Sequence, residues 1–232
     1  MSKVFQDLFD LDGRLAQFEK YVAKVFSVPK LLSDFTDSRL DPNIPTFDVI
    51  NSLFYAALLR IPSTNALEGD LKEADFQKLI GYPPEQDEKA FSAEVIDNVL
   101  DKLDLSFARK AIISVIRQAE RNKVFREGWH GALRFVAVDG WEPFCSYHRH
   151  CPQCLTRNVE VKRKSGEKEV VVQYYHRYAV AMLIDGQMDV TLDVEPILPA
   201  DIRDGPLKGE RHEGELTAAK RLIVNPHIIL TA

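Results

Sequence analysis

The 232-residue chain has no apolar run approaching the ~18 residues that a membrane-spanning helix requires, and Met1-Ser2-Lys3 does not lead into the apolar segment of a secretory leader. Those absences predict a cytoplasmic protein with no membrane partner. Cysteine is scarce: Cys145, Cys151 and Cys154 are the only three. Three thiols make no disulfide framework, and in a reducing compartment Cys151-x-x-Cys154 reads as a metal or redox pair. Neither sign of charge dominates, since 30 Lys and Arg stand against 35 Asp and Glu for a formal net charge of −5. A whole-chain basic signature of nucleic-acid binding is therefore missing, and any basic surface must be local. No internal repeat, low-complexity tract or helix-turn-helix signature is evident. What is there, 45% hydrophobic and 28% charged residues, suits a globular chain with room for one large domain or two modest ones.

The front of the chain is helical in pattern. Phe5, Leu8, Phe9, Leu15, Phe18, Val22 and Val25 recur at helical spacing over residues 4–26, and Pro29 predicts a break. Residues 33–45 are rich in turn formers and read as a connector. Thr46 is placed to cap a helix over Phe47–Arg60 that is apolar nearly all round and so must be buried among others. Ser63 or Thr64 caps a next helix carried by Leu67, Leu71, Leu79 and Ile80 to Gly81, and Tyr82-Pro83-Pro84 is a stiff break. Two more helices follow, over Ser92–Leu103 and Ser106–Phe125. Past Glu127–Gly131 the apolar period changes from about 3.6 to 2, which divides the chain into a helical domain, 1–128, and a strand-bearing one, 129–232.

The second part centres on Asp139. Leu133–Val138 is an apolar, strand-prone run that stops at Asp139-Gly140, so the carboxylate is expected at the end of a buried strand, aimed at the mouth of a sheet. The plain alternative is an ordinary Asp-Gly turn. His148, His150, Cys151 and Cys154 follow, and His176 comes after a basic loop, so metal-dependent chemistry is suggested. Cys151-Pro152-Gln153-Cys154 has zinc-knuckle spacing, and His150 and His176 could complete a Cys₂His₂ tetrahedron; His148 competes with His150, because adjacent residues seldom both face one ion. Cys145 reads as a partly buried, inert thiol.

Strand pattern resumes at Val170–Tyr175 and Tyr178–Ile184, separated from the knuckle by a polar tip turning at Gly166. Lys162, Arg163, Lys164 and Lys168 at that tip, with Arg149 and Arg157, are the candidate phosphate contacts, although Glu160, Glu167 and Glu169 dilute their field and a solvated turn explains the run as well. Asp185-Gly186 punctuates a second hairpin into Met188–Val194. A helix near Glu213–Val224 follows, with His212, Glu213 and Glu215 explained by capping, and Pro226 precedes a further apolar strand, His227–Leu230.

Three antiparallel strands, a helix and a fourth strand, with an acid on the first, is the order of a ribonuclease H-like fold. Val138-Asp139-Gly140, His150-Cys151-x-x-Cys154-Leu155-x-Arg157, Tyr174-Tyr175-His176 and Glu215 through Ala218-Ala219-Lys220-Arg221 resemble the first half of a DDE-type insertion-sequence transposase. The helical part resembles it more loosely, through Arg60-x-Pro62-Ser63 and Asn65-Ala66-Leu67-Glu68. The fold class expected is thus α+β: an all-helical N-terminal domain, then an incomplete ribonuclease H-like α/β domain with a small zinc-knuckle-like insertion. The resemblance implies DNA as partner and Asp139 as the first carboxylate holding Mg²⁺ or Mn²⁺, with structural Zn²⁺ at the knuckle. The family's second aspartate and its glutamate lie further on than Ala232, so the expectation is a truncated or split transposase, inactive alone, that self-associates or needs a missing C-terminal half. A single carboxylate does not clamp two metal ions. Two rivals stand: a non-catalytic, zinc-stabilised DNA- or protein-binding module, and a complete metal nuclease gathering Asp185, Asp189 or Asp193 around Asp139.

Overall fold

A computed structural model describes residues 13–82, 90–125, 135–163, 166–184, 189–203 and 208–224. The expected features at residues 4–12, Pro83-Pro84, Glu127–Leu133, Lys164, Asp185-Gly186 and Pro226–Leu230 lie outside them. The chain divides into two compact units, Met1–Arg121 and Asn122–Ala232, and combines helices with an antiparallel sheet, an α+β protein. Among the described residues no helix is long and apolar enough to cross a membrane.

The first unit holds α1 (Arg14–Phe26), α2 (Val28–Ser33), α3 (Thr46–Leu58), α4 (Thr64–Asp70), α5 (Ala74–Leu79), α6 (Ala93–Lys102) and α7 (Leu105–Arg121). The break expected near Pro29 falls at Ser27, in the left-handed region at φ 54°. Pro29 sits in the first turn of α2, where a missing N–H costs nothing. The single helix expected up to Gly81 is two, because the chain unwinds after Asp70 and the buried Gln77 amide donates to the freed Leu71 carbonyl at 2.8 Å. Ser63 caps α4 as expected, accepting from the Ala66 N–H at 3.1 Å. Val49, Leu67, Leu71, Phe76, Ile96 and Val99 are essentially inaccessible and form the centre of the helical core.

Thr46 does not cap α3. The helix begins at Thr46 itself, with Pro45 in the capping position, and the Thr46 hydroxyl donates to Asp37 Oδ2 at 2.6 Å. Asp37 Oδ1 accepts from Arg39 N and Nε at 2.8 and 2.9 Å, and Arg39 Nη2 donates to the Ile44 carbonyl at 2.9 Å. The connector is therefore pinned by one buried carboxylate. The Arg39 guanidinium beside it holds the Asp37 pKa down, to about 2, although burial pulls the other way.

In the second unit, β1 (Phe135–Ser146), β2 (Leu155–Lys162), β3 (Lys168–Ile184) and β4 (Asp189–Pro196) make one antiparallel sheet, followed by α8 (Glu215–Val224). The two strands expected at 170–175 and 178–184 are one 17-residue strand. One edge of β3 carries β1; along the other, β2 pairs with its first half and β4 with its second. Alternation sorts the side chains of β3. Ala179, Ala181 and Leu183 are buried, as are Leu192 of β4 and Ala218 and Leu222 of α8, which packs on β3, β4 and β1. Tyr178, Val180 and Met182 belong to the opposite face, which is partly open.

The residues before α8 do more than cap it. Glu213 accepts from the Leu198 N–H at 3.1 Å and from Arg221, which also reaches Glu195 at 2.8 Å. Burial works to raise the Glu213 pKa, but Arg221 and the Leu198 N–H outweigh it, and the carboxyl lies below its ordinary value. Glu215 pairs with Arg177, and His212 Nδ1 accepts from the Ala200 N–H at 3.0 Å.

Candidate metal centre

Cys151 and Cys154 occupy the two ends of a tight turn. The Cys154 N–H donates to the Cys151 carbonyl at 3.1 Å, and the Cys151 N–H donates to Cys154 Sγ at 3.2 Å. Pro152, second in the turn, carries the φ that this position favours. Strand register brings in the third donor: β2 begins at Leu155 opposite Tyr175, so Cys154 arrives beside His176, while β1 reaches the same histidine through the Phe144–His176 pair. His176 Nε2 lies 3.4 Å from each sulfur, and the sulfurs lie 3.7 Å apart. These three side chains could hold a metal ion, and among the described residues they are the only set of three or more His, Cys, Asp or Glu whose ligand atoms converge within 4.8 Å.

Burial raises the Cys154 thiol pKa; the Cys151 N–H that donates to its sulfur pulls the other way, and the Cys151 side chain adds to the rise. Burial also raises the pKa of Tyr178, and the two cysteines add to that shift, which puts this tyrosine beside the cluster.

The expected fourth ligand is not there. His150 stacks on Tyr174 with ring centroids 4.6 Å apart, and its Nδ1 faces the His148 carbonyl at 3.4 Å. Neither His150 nor His148 joins the converging set. Adjacent residues of an irregular segment point different ways, and the aromatic partner decides where His150 goes. Cys145 is exposed, not partly buried, and stands apart from the cluster.

Asp139 also differs from expectation. It is not at the end of a buried strand: β1 runs on through it to Ser146, and Phe135, Val136 and Val138 are themselves well exposed. The reason is Gly140, which here makes no turn. Its Cα meets α8 so closely that a Cβ would collide with the Glu215 carboxylate, 2.8 Å from its Cδ. The next residues continue the ladder, with Trp141 opposite Tyr178. Since position 140 faces α8, Asp139 points to the other face. There it lines a depression of about 370 Å³ with Ala137, Trp141, Val180, Met182, Thr191 and Val194. Asp139 Oδ1 accepts from the Gly140 N–H at 2.7 Å. Among the described residues Asp139 belongs to no set of three or more converging acidic, His or Cys ligands; Asp185 lies outside those residues.

Three of the six candidate phosphate contacts are engaged within the protein. Arg157 forms a fork with Glu142 (2.9 and 2.7 Å), donates to Gln173 at 2.8 Å and lies over the Tyr175 ring at 4.4 Å. Arg163 pairs with Glu169 at 2.5 Å and Lys168 with Glu160 at 2.5 Å. Lys162 and Arg149 are exposed, and Lys164 lies outside the described residues.

One feature of this face escaped the sequence reading. Trp141, Tyr178, His176 and Phe144 form a connected row, with centroid separations of 6.1, 6.5 and 6.1 Å, running from Asp139 to the sulfur cluster. The signal was present as Tyr174, His176 and Tyr178 at alternate positions of one strand, two of them hidden inside the Tyr-Tyr-His motif. No protein-family model, curated protein or solved structure matches this chain.

Proposed function

We propose that this chain serves DNA transposition as a DDE-type insertion-sequence transposase domain. In this reading its sheet is ribonuclease H-like, Asp139 is the first metal-holding carboxylate, and Cys151, Cys154 and His176 bind structural zinc. The observation that carries the proposal is topological. Strand β1, the second half of β3 and β4 form an antiparallel meander in chain order, α8 follows on one face, and Asp139 stands on the first strand facing the other way.

The donor triangle fits zinc. Tetrahedral bonds of ~2.3 Å to sulfur and ~2.05 Å to nitrogen require S···S edges of ~3.8 Å and S···N edges of ~3.5 Å. The three separations of 3.7, 3.4 and 3.4 Å match one face of that tetrahedron. Zinc there would tie the β2–β3 hairpin to the turn that precedes it, a structural role. The fit of Mg²⁺ or Mn²⁺ is different: Asp139 offers one hard oxygen ligand, whereas a two-ion phosphoryl-transfer site needs further carboxylates. The described residues supply no such set, so no catalytic step is assigned to them.

That same observation favours a second reading, a non-catalytic zinc-stabilised DNA- or protein-binding module. The two share the zinc site and part at Asp139. DNA affinity measured with and without Mn²⁺, for this chain and its Asp139→Asn variant, separates them. The transposase reading expects a cation-dependent share of the affinity that the variant loses; affinity indifferent to both the cation and the substitution supports the module.

A further inference from the structure

We propose that Cys151 is a site of reversible oxidation, at which a small-molecule disulfide converts Cys151 and Cys154 into a disulfide of their own and the zinc ion is released. The inference rests on the zinc reading above and names what controls the occupancy of that site.

The two sulfurs are placed for this chemistry. The Cys154 N–H donates to the Cys151 carbonyl at 3.1 Å and closes a four-residue turn, and such turns hold their end Cα atoms within ~7 Å, the range that a disulfide spans. The sulfurs face each other at 3.7 Å, so a bond of ~2.05 Å needs the gap to close by ~1.7 Å, within reach of side-chain rotation. The pair is also asymmetric. Cys151 is exposed, whereas Cys154 is only 8% exposed and its sulfur accepts the Cys151 N–H at 3.2 Å. An incoming oxidant therefore meets Cys151 first, and Cys154 stands behind it as the resolving sulfur. A closed structural zinc site shields its sulfurs with four protein donors. Among the described residues this one gathers three, and the neighbouring His150 is held on the Tyr174 ring instead.

Two exchanges balance the electrons. Metal ligation keeps both sulfurs as thiolates. The Cys151 thiolate attacks one sulfur of the small disulfide, whose S–S bond breaks; a mixed disulfide forms at Cys151 and one small thiolate leaves. The Cys154 thiolate, 3.7 Å away, then attacks Cys151 Sγ, and the second small thiolate leaves. Two electrons have passed from the cysteines to the oxidant, and both negative charges depart on the released thiolates. Of the three donors only His176 remains, and one imidazole does not hold zinc. The tie between the Cys151–Cys154 turn and β3 is lost with the ion. Excess small thiol runs both exchanges backwards and restores the site.

The experiment uses the full chain carrying Cys145→Ser, which leaves Cys151 and Cys154 as its only thiols. Reduced, zinc-loaded protein is treated with glutathione disulfide, following free thiols, denatured mass and zinc captured by a chromogenic chelator. Loss of both thiols, a mass lower by two hydrogens and zinc release in step with thiol loss are expected, all reversed by dithiothreitol and added zinc. In the same background Cys154→Ser should stop at a glutathione adduct on Cys151, and Cys151→Ser should form its adduct on Cys154 about tenfold more slowly. Circular dichroism checks the fold of each variant, and the mass of the Cys145→Ser chain reads the disulfide without either of them. Zinc and both thiols retained, under conditions that add glutathione to Cys145 of the unsubstituted chain, overturn the proposal. An adduct that forms faster on Cys154 than on Cys151 overturns it too. The parent reading is scored separately: reduced protein that carries no zinc but still forms the disulfide removes the zinc site and supports the cysteine pair as the site of oxidation.

Discussion

Replacing Cys154 by serine removes one corner of a donor triangle whose edges, 3.7, 3.4 and 3.4 Å, already match a tetrahedral ion. The consequence can be sized. Zinc binds the folded unit through atoms drawn from the Cys151–Cys154 turn and from the middle of β3, which the unfolded chain does not hold together. At free zinc a hundredfold above its dissociation constant the folded state gains ~2.7 kcal/mol. In a domain of about a hundred residues that corresponds to a melting shift on the order of 10 °C. Calorimetry of the chain in zinc and in chelator, with metal analysis of protein purified without chelator, reads both quantities. The wild type should carry about one zinc per chain and lose the shift in chelator. Cys154→Ser and His176→Ala should abolish the zinc-dependent part, whereas His148→Ala and His150→Ala should leave the zinc content unchanged, because neither histidine faces the cluster. Zinc content near zero, or content unaltered in a Cys151→Ser/Cys154→Ser protein, would refute the reasoning.

Asp37→Asn should destabilise the helical unit by ~2 kcal/mol near neutral pH, by the linkage between its unfolded pKa of 3.8 and its folded value of about 2. The folded pKa is depressed, so this contribution is complete above the unfolded value and disappears as pH falls from about 4 towards 2; denaturant melts of both proteins across that range should converge at the acid end. Gly140→Val should cost ~1–3 kcal/mol through crowding against Glu215 and Arg177, seen as a lower denaturation midpoint. Gly140→Ala should cost less, since the nearest atoms belong to the flexible end of a glutamate.

Helices α3, α6 and α7 were legible because an amphipathic or wholly apolar period survives any tertiary context. Thr46 was not, because a hydroxyl at a helix start can cap its own helix or bind elsewhere, and only the fold brings Asp37 within reach. The metal donors divide the same way. Local spacing exposed Cys151 and Cys154, and the hairpin between them and His176 exposed the third. The ring of Tyr174 removed His150, a contact that no spacing rule contains. Asp139 was set at a strand end, since Asp-Gly ordinarily marks a turn. Here the glycine answers to a helix 75 positions away (Gly140 to Glu215), and the strand passes straight through it.

The most direct test of the central claim is where a divalent cation sits when DNA is bound. Mn²⁺ titrated into the isotopically labelled chain with DNA should broaden the amide signals of Ala137–Trp141 and Val180 first, and Asp139→Asn should abolish that broadening while leaving the zinc content intact. Broadening elsewhere, or broadening at these residues that persists in Asp139→Asn, would contradict the assignment of Asp139 as a metal-holding carboxylate.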